Sequence, residues 1–117
     1  MQYLLMIYSN ESHWPDMTPV DQERGIAAYQ AYTEALTQAG ALKGSNRLHA
    51  SSMATTVRVA DGKSQVLDGP YIDSKEQPAG YFLIDVPDLD AAIAWAARCP
   101  GASHGAVEVR PSFCCIE

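Results

Sequence analysis

Residues 2–8, "QYLLMIY", form a continuous apolar run of strand length with no polar alternation. A strand of that kind suits burial on both faces, so it is expected near the centre of a sheet. A second run, "GYFLIDV" at residues 80–86, reads the same way. The rest of the chain must supply the layers that cover these two strands.

A chain of 117 residues holds one core and one domain, so residues 1–117 are read as a single unit without a linker. Hydrophobic residues make up 47% and charged residues 19%, an ordinary globular balance, and no apolar run reaches the length of a bilayer span. "MQYLLMIYSN" lacks the basic flank and cleavage site of a signal peptide and reads as a first strand, which makes a cytoplasmic location the expectation. The net charge of −6 argues against nucleic acid and anionic membrane as partners, because both repel an acidic protein at long range. Cys99, Cys114 and Cys115 are an odd set with two adjacent members, which is no disulfide framework and fits reduced thiols.

After the first strand, "SNESHWPDM" breaks the pattern, and "TPVD" offers Thr18 as N-cap, Pro19 at the first helical position and Asp21 near the positive helix end. Ile26, Tyr29, Tyr32 or Thr33, Leu36 and Ala39 then recur at helical spacing up to Gly40, a natural stop. "ALKGSNRLHASSM" has no period and reads as an irregular crossing, with room for a short strand at residues 41–43. "ATTVRVADGKSQVLDGPY" reads as a hairpin about Asp61-Gly62, with Thr55, Val57 and Val59 on one face and Thr56 and Arg58 on the other. Asp68-Gly69-Pro70 makes a second turn. Asp88 caps a second helix with the stripe Leu89, Ala92, Ile93 and Ala96, ended by Pro100-Gly101. "AVEVRP" closes the series as a strand with Val107 and Val109 inward and Glu108 and Arg110 outward.

The order strand, helix, hairpin, strand, helix, strand points to an α+β ferredoxin-like sandwich: a mainly antiparallel sheet with two helices on one face. The other sheet face then needs protection, and a second copy packed sheet to sheet is expected to provide it as a homodimer.

One segment is more specific. "DGPYIDSKEQPAGYFLID" resembles the DGPF motif of the YCII-related family, whose members read DGPF, a short acidic segment, KE, a glycine and an aromatic-aliphatic strand. The similarity runs along nearly the whole chain, through "YLLMIY", "TTVRV", "DLDAAIAWAARCP" and "VEVRP". The resemblance implies a dimeric α+β barrel. It says less about activity: some members are proposed enzymes with a His and an Asp lining a pocket, and DGPF-type members often accompany extracytoplasmic-function sigma factors. The helical His position aligns with Tyr29 here, and tyrosine does not shuttle protons near neutrality as histidine does. Asp68, the first letter of the motif, remains the acidic candidate.

Each candidate has a plainer account beside the functional one. Asp68 can serve the turn by bonding the backbone two residues on. Lys75 and Glu76 are adjacent and so point to opposite faces of an extended chain, serving as surface or interface charges, or as an anion site with Arg47, Arg58 or Arg110. Tyr29 and Tyr81 are the tyrosines nominated for a pocket, although aromatics in strands and on an apolar helix stripe are usually core. Catalytic candidates are thus Asp68 and Tyr29, and ligand-binding candidates are Tyr81, Lys75, Glu76, Arg47 and Arg110. His49 in "RLHASS" reads as a solvated loop residue. His13, His49 and His104 stand in no ligand spacing, and dinucleotide, nucleotide and hydrolase motifs are missing, so neither metal nor cofactor is expected. The leading function is a homodimer that binds or converts a small molecule between the first helix and the sheet. The alternative is a regulatory protein acting with a sigma factor, and a third reading is a member that keeps the dimer and has lost chemistry.

Overall fold

Local chemistry sets the element boundaries. Thr18 accepts the Asp21 N–H at 3.2 Å, opening helix α2 (Pro19–Gln38), and Asp88 accepts the Ala91 N–H at 2.9 Å, opening α3 (Leu89–Arg98). Asp61 and Gly62 take left-handed backbone conformations, φ 52° and 74°, as a two-residue hairpin turn demands. The computed structural model describes residues 1–113, and Cys114 and Cys115 lie outside them. In chain order the remaining elements are β1 (Gln2–Asn10), a helical turn α1 (His13–Asp16), β2 (Leu42–Arg47), β3 (Thr55–Ala60), β4 (Lys63–Asp68), β5 (Glu76–Asp85) and β6 (Ala106–Pro111). Two short 3-10 turns, Ser51–Met53 and Pro100–Ser103, complete the path.

Four strands form one antiparallel sheet in the order β2-β5-β1-β6, and β3 and β4 form a separate two-stranded sheet. The result is a mixed α+β fold consistent with a ferredoxin-like topology. β1 stands between β5 and β6, as its apolar run predicts. The crossing segment holds a longer strand than residues 41–43, and α1 forms where the sequence shows only a break.

The core joins Tyr3, Leu5 and Ile7 of β1 and Phe82 and Ile84 of β5 to Tyr32 and Leu36 of α2 and Ala92 and Ala96 of α3. Leu5, Leu36 and Ile84 are fully enclosed, each worth roughly 1.5–3 kcal/mol of transfer free energy. Tyr32 meets Phe82 edge-on at 5.1 Å and donates its hydroxyl to the Trp95 carbonyl at 2.7 Å, so its polar end is satisfied inside. The helix stripes are narrower than their spacing implies. Ile26, Leu89 and Ile93 stay about half exposed, so the buried stripe of α3 is Ala92 and Ala96 and that of α2 is Tyr32 and Leu36.

The apolar run of β1 predicts cover on both faces, yet only Tyr3, Leu5 and Ile7 are fully buried and their neighbours are half-buried. The register lays out the second face in two rows. Asn46, Tyr81, Met6 and Glu108 form one, and Gly44, Leu83, Leu4 and Arg110 the other. Its centre is apolar and its flanks are polar, with Asn46 Nδ2 donating to the Tyr81 hydroxyl at 2.8 Å and Arg110 paired with Glu108 at 2.8 Å.

Candidate functional site

A groove of about 890 Å³ lies where the hairpin leaves the sheet. Its walls are the segment 48–57, the segment 70–78, and Tyr8 with Ala106 at the ends of β1 and β6. Sheet ladders hold the strand parts of these walls, and side chains bonding to backbone hold the irregular parts. The Glu11 carboxylate accepts both the N–H and the hydroxyl of Ser51, at 2.6 and 2.7 Å, and so fixes the 3-10 turn against the end of β1. Such charge-assisted bonds are among the stronger ones in a protein. The opposite wall hangs on Gln77, which is buried and donates its amide to the carbonyls of Ile72 and Ser74 at 2.8 and 3.0 Å.

The hairpin base is tied down in the same manner. Gly69, at φ 110°, donates its N–H to the Ala54 carbonyl at 2.7 Å, and Thr56 donates its hydroxyl to the Gly69 carbonyl at 2.8 Å. The bond expected from the Asp68 carboxylate to the backbone two residues on does not form, because that residue is Pro70, which has no N–H to donate. Thr56, reaching across from β3, does that work instead.

Polar groups enter the groove from Tyr8, His49, Ser51, Ser74 and Glu76, above an apolar floor that includes Pro78 and Ala106. Glu76 sits over Gly105, where a β-carbon would come within 3.3 Å of its Oε2. That position places the carboxylate of the exposed Glu76 near the Tyr8 backbone.

The residues nominated from sequence do not converge on one cavity. Asp68, Lys75 and Glu76 are all exposed, and of the three only Glu76 lines the groove. Tyr29 stacks on Phe82 with centroids 6.4 Å apart, and Phe82 belongs to the core face; Tyr81, the next residue along β5, points to the opposite face beside Asn46. Arg47 covers the Trp14 ring at 4.7 Å, and Arg110 is engaged with Glu108. Arg58 lies over Tyr71 at 5.0 Å and donates to its hydroxyl at 3.1 Å, which stiffens the hairpin base.

Between α2 and the sheet, where the sequence places a pocket, aromatic side chains pack. The Tyr29 hydroxyl rests against the Cys99 thiol and the Gly101 N–H, and burial, with Cys99 beside it, pushes its pKa well above the ordinary tyrosine value. Burial likewise raises the Tyr32 phenol and the Cys99 thiol. These groups stay protonated and neutral near neutral pH, the condition of core residues rather than of proton carriers.

The sequence nominates none of Tyr8, Ser51 and Gln77 as a site residue, and it reads His49 as a solvated loop residue. A Gln flanked by charged and Pro residues just inside a core strand was the one local signal for Gln77. Nothing local marks the pairing of Glu11 with Ser51 across 40 positions. Among the described residues no three His, Cys, Asp or Glu side chains gather closely enough to hold a metal ion, and no helix is long and apolar enough to cross a membrane.

Comparison with known proteins gives concordant matches. The family model described as YCII-related domain matches residues 1–113. A curated protein of Rhizobium meliloti (strain 1021), described as "Uncharacterized protein R00369", is 34% identical over 113 residues, which span 95% of this chain and 91% of that protein.

Proposed function

The chain belongs to the YCII-related family, and from that premise we propose that it acts as a homodimer binding a small organic molecule in the groove at the hairpin base. The observation that carries this reading is the groove itself. Its volume falls within the range of small-molecule sites, and it combines apolar walls with a few polar groups, the composition such sites need. Glu76 supplies the charge, so the favoured ligand presents an amine, amide or hydroxyl donor to that carboxylate. His49 offers a further hydrogen bond from the opposite wall, and the Ser51 oxygen, whose proton goes to Glu11, can accept one. Binding is better supported than catalysis by Asp68 and Tyr29, which stand in different parts of the molecule.

The second copy is supported by the open sheet face, whose apolar centre of Leu4, Met6 and Leu83 with polar flanks has the composition of an interface. The Asp68-Gly69-Pro70 turn followed by Tyr71 supports placement in the DGPF subgroup, and a cytoplasmic location belongs to the same reading. The alternative, a regulatory protein that docks on a protein such as a sigma factor, draws its support from the apolar side chains left exposed on the hairpin.

Thermal-shift screening with a library of small amines, amides and polyols tests the groove. A ligand at a hundredfold excess over its Kd stabilises the fold by about 2.7 kcal/mol, a rise of several degrees in Tm. Such a rise is expected for the native chain and is lost in a Glu76→Gln, His49→Ala double variant. Hits that stabilise both proteins equally, or a library without hits, would remove the groove as the site.

A further inference from the structure

Among the described residues the β3–β4 hairpin rests on the body only at its base. Its strands pair only with each other, and every residue from 57 to 68 is exposed. The gyration radius of 16.2 Å exceeds the roughly 13 Å of a compact chain of this length, in keeping with an arm that projects from the body. Register puts Val57 opposite Val66 and Val59 opposite Ser64, so Val57, Val59 and Val66 share one face, and they are 58%, 69% and 62% exposed. A two-stranded hairpin is at best marginally stable alone in water, and an exposed apolar ribbon invites aggregation unless something covers it.

A second apolar surface lies beside the first. Leu48, Met53, Tyr71 and Ile72, on the segments that wall the groove, are all substantially exposed. Only the base of the arm meets this surface in its own copy, with Val57 at the groove edge and Arg58 over Tyr71; Val59 and Val66 lie farther out, on strands of six residues that span about 20 Å at the ~3.3 Å rise of a strand.

We propose that the arm of one copy lays its Val57, Val59 and Val66 face on the groove rim formed by Leu48, Met53, Tyr71 and Ile72 of a second copy, and the reverse, so that each groove is roofed by the other subunit. Three features select a second copy over another partner. The two surfaces occur together on one chain, so a two-fold axis satisfies both at once. The arm carries two basic residues, Arg58 and Lys63, and two acidic ones, Asp61 and Asp68; an arm without net charge can approach a body that carries the whole −6. Arm and rim together also present seven large apolar side chains per copy, more than the few hundred Å² a monomer ordinarily exposes and of the order of the ~800 Å² that each partner of a stable dimer buries. A hairpin in constant need of cover suits a partner always present in equal amount. The proposal rests on the homodimer reading above and makes the groove incomplete without the partner.

Sedimentation velocity of the full chain at tens of micromolar, beside a Val59→Asp, Val66→Asp variant, tests it. The native chain is expected to sediment as a dimer. The variant, with an unchanged far-UV circular dichroism spectrum, is expected to dimerise at least 100-fold more weakly. A native monomer would overturn both the arm and the homodimer; a variant that dimerises as tightly as the native chain would overturn the arm alone. Should the variant misfold, a photo-crosslinking benzoylphenylalanine at position 59 decides, using a mixture of ¹⁴N and ¹⁵N protein. Mixed-isotope cross-links to residues 48–53 or 71–72 support the proposal, and cross-links confined to one chain or directed to Leu4, Met6 or Leu83 overturn it.

Discussion

Glu11 and Ser51, forty residues apart, meet at the edge of the groove, where one carboxylate receives both the N–H and the hydroxyl of the serine. The pair links the end of β1 to the only regular turn in the long crossing between β2 and β3. Replacing Glu11 by Ala leaves the half-buried Ser51 N–H without its partner. A loss of about 2 kcal/mol is expected from a charged hydrogen-bond pair of this kind. Hydrogen exchange should locate the change: amides of residues 48–54 exchange faster, while those of β1 and β5 do not. Uniformly faster exchange would mean that Glu11 supports the whole fold rather than this wall.

Gln77 is the other fixed point. Its buried amide satisfies two loop carbonyls, Ile72 and Ser74, and a Gln77→Leu substitution of similar size removes both bonds. Ile72 and Ser74 are exposed and their carbonyls can turn to water, so the expected cost is that of two ordinary hydrogen bonds, about 0.5–1.5 kcal/mol each. A fall in the urea midpoint with an unchanged m-value is the expected result. An unchanged midpoint would show that the loop carbonyls find solvent without the amide.

Gly101 has no room for a side chain. A β-carbon there would lie 2.6 Å from the Tyr29 hydroxyl and 2.8 Å from Cγ2 of Ile7. Gly101→Ala forces Tyr29 off its stack on Phe82 or shifts the 3-10 turn, at about 1–3 kcal/mol. Gly105 is tighter, since a β-carbon there would collide with the Tyr8 carbonyl, a backbone atom with no rotamer to escape into. Gly105→Ala should therefore be the more damaging change in a denaturation series, and the reverse order would contradict this packing. Gly40 gives a useful contrast: nothing lies near its absent side chain, but φ 70° makes alanine costly there through backbone strain.

Alkaline pH should weaken the fold. Burial raises the phenols of Tyr29 and Tyr32 above their ordinary value of 10.0 and the Cys99 thiol above 9.0, so the unfolded chain releases these protons first. A folded-state pKa above the unfolded value gives stability that is fully present below the unfolded pKa and is lost as pH rises beyond it. The urea midpoint is expected to hold from pH 7 to about 9 and then fall steadily toward pH 11. A Tyr29→Phe, Tyr32→Phe variant should show a shallower fall, and equal slopes for the two proteins would remove these phenols as the cause. The same burial should keep Cys99 from alkylation by iodoacetamide in the native protein.

The amino-acid sequence determined what depends on residues a few positions apart. Thr18 and Asp88 as caps, Asp61-Gly62 as the hairpin turn and the central place of β1 all follow from interactions within one turn or along one strand, and each is found where local chemistry puts it. Tertiary structure decided what depends on which faces meet. Tyr29 and Tyr81 look equivalent as aromatic candidates, but α2 packs on the face that holds Phe82, and the pleat sends Tyr81 to the other side. Val57 and Val59 share one face, as their alternation reads, but only the register that pairs their strand with β4 alone shows that this face stands in water. Glu76 joined His49 and Ser51 around a groove only because Glu11 and Gln77 pin two irregular segments whose positions no periodicity records. Short-range bonding fixes caps and turns in any context, whereas a groove between loops exists only once the long-range partners of those loops are in place.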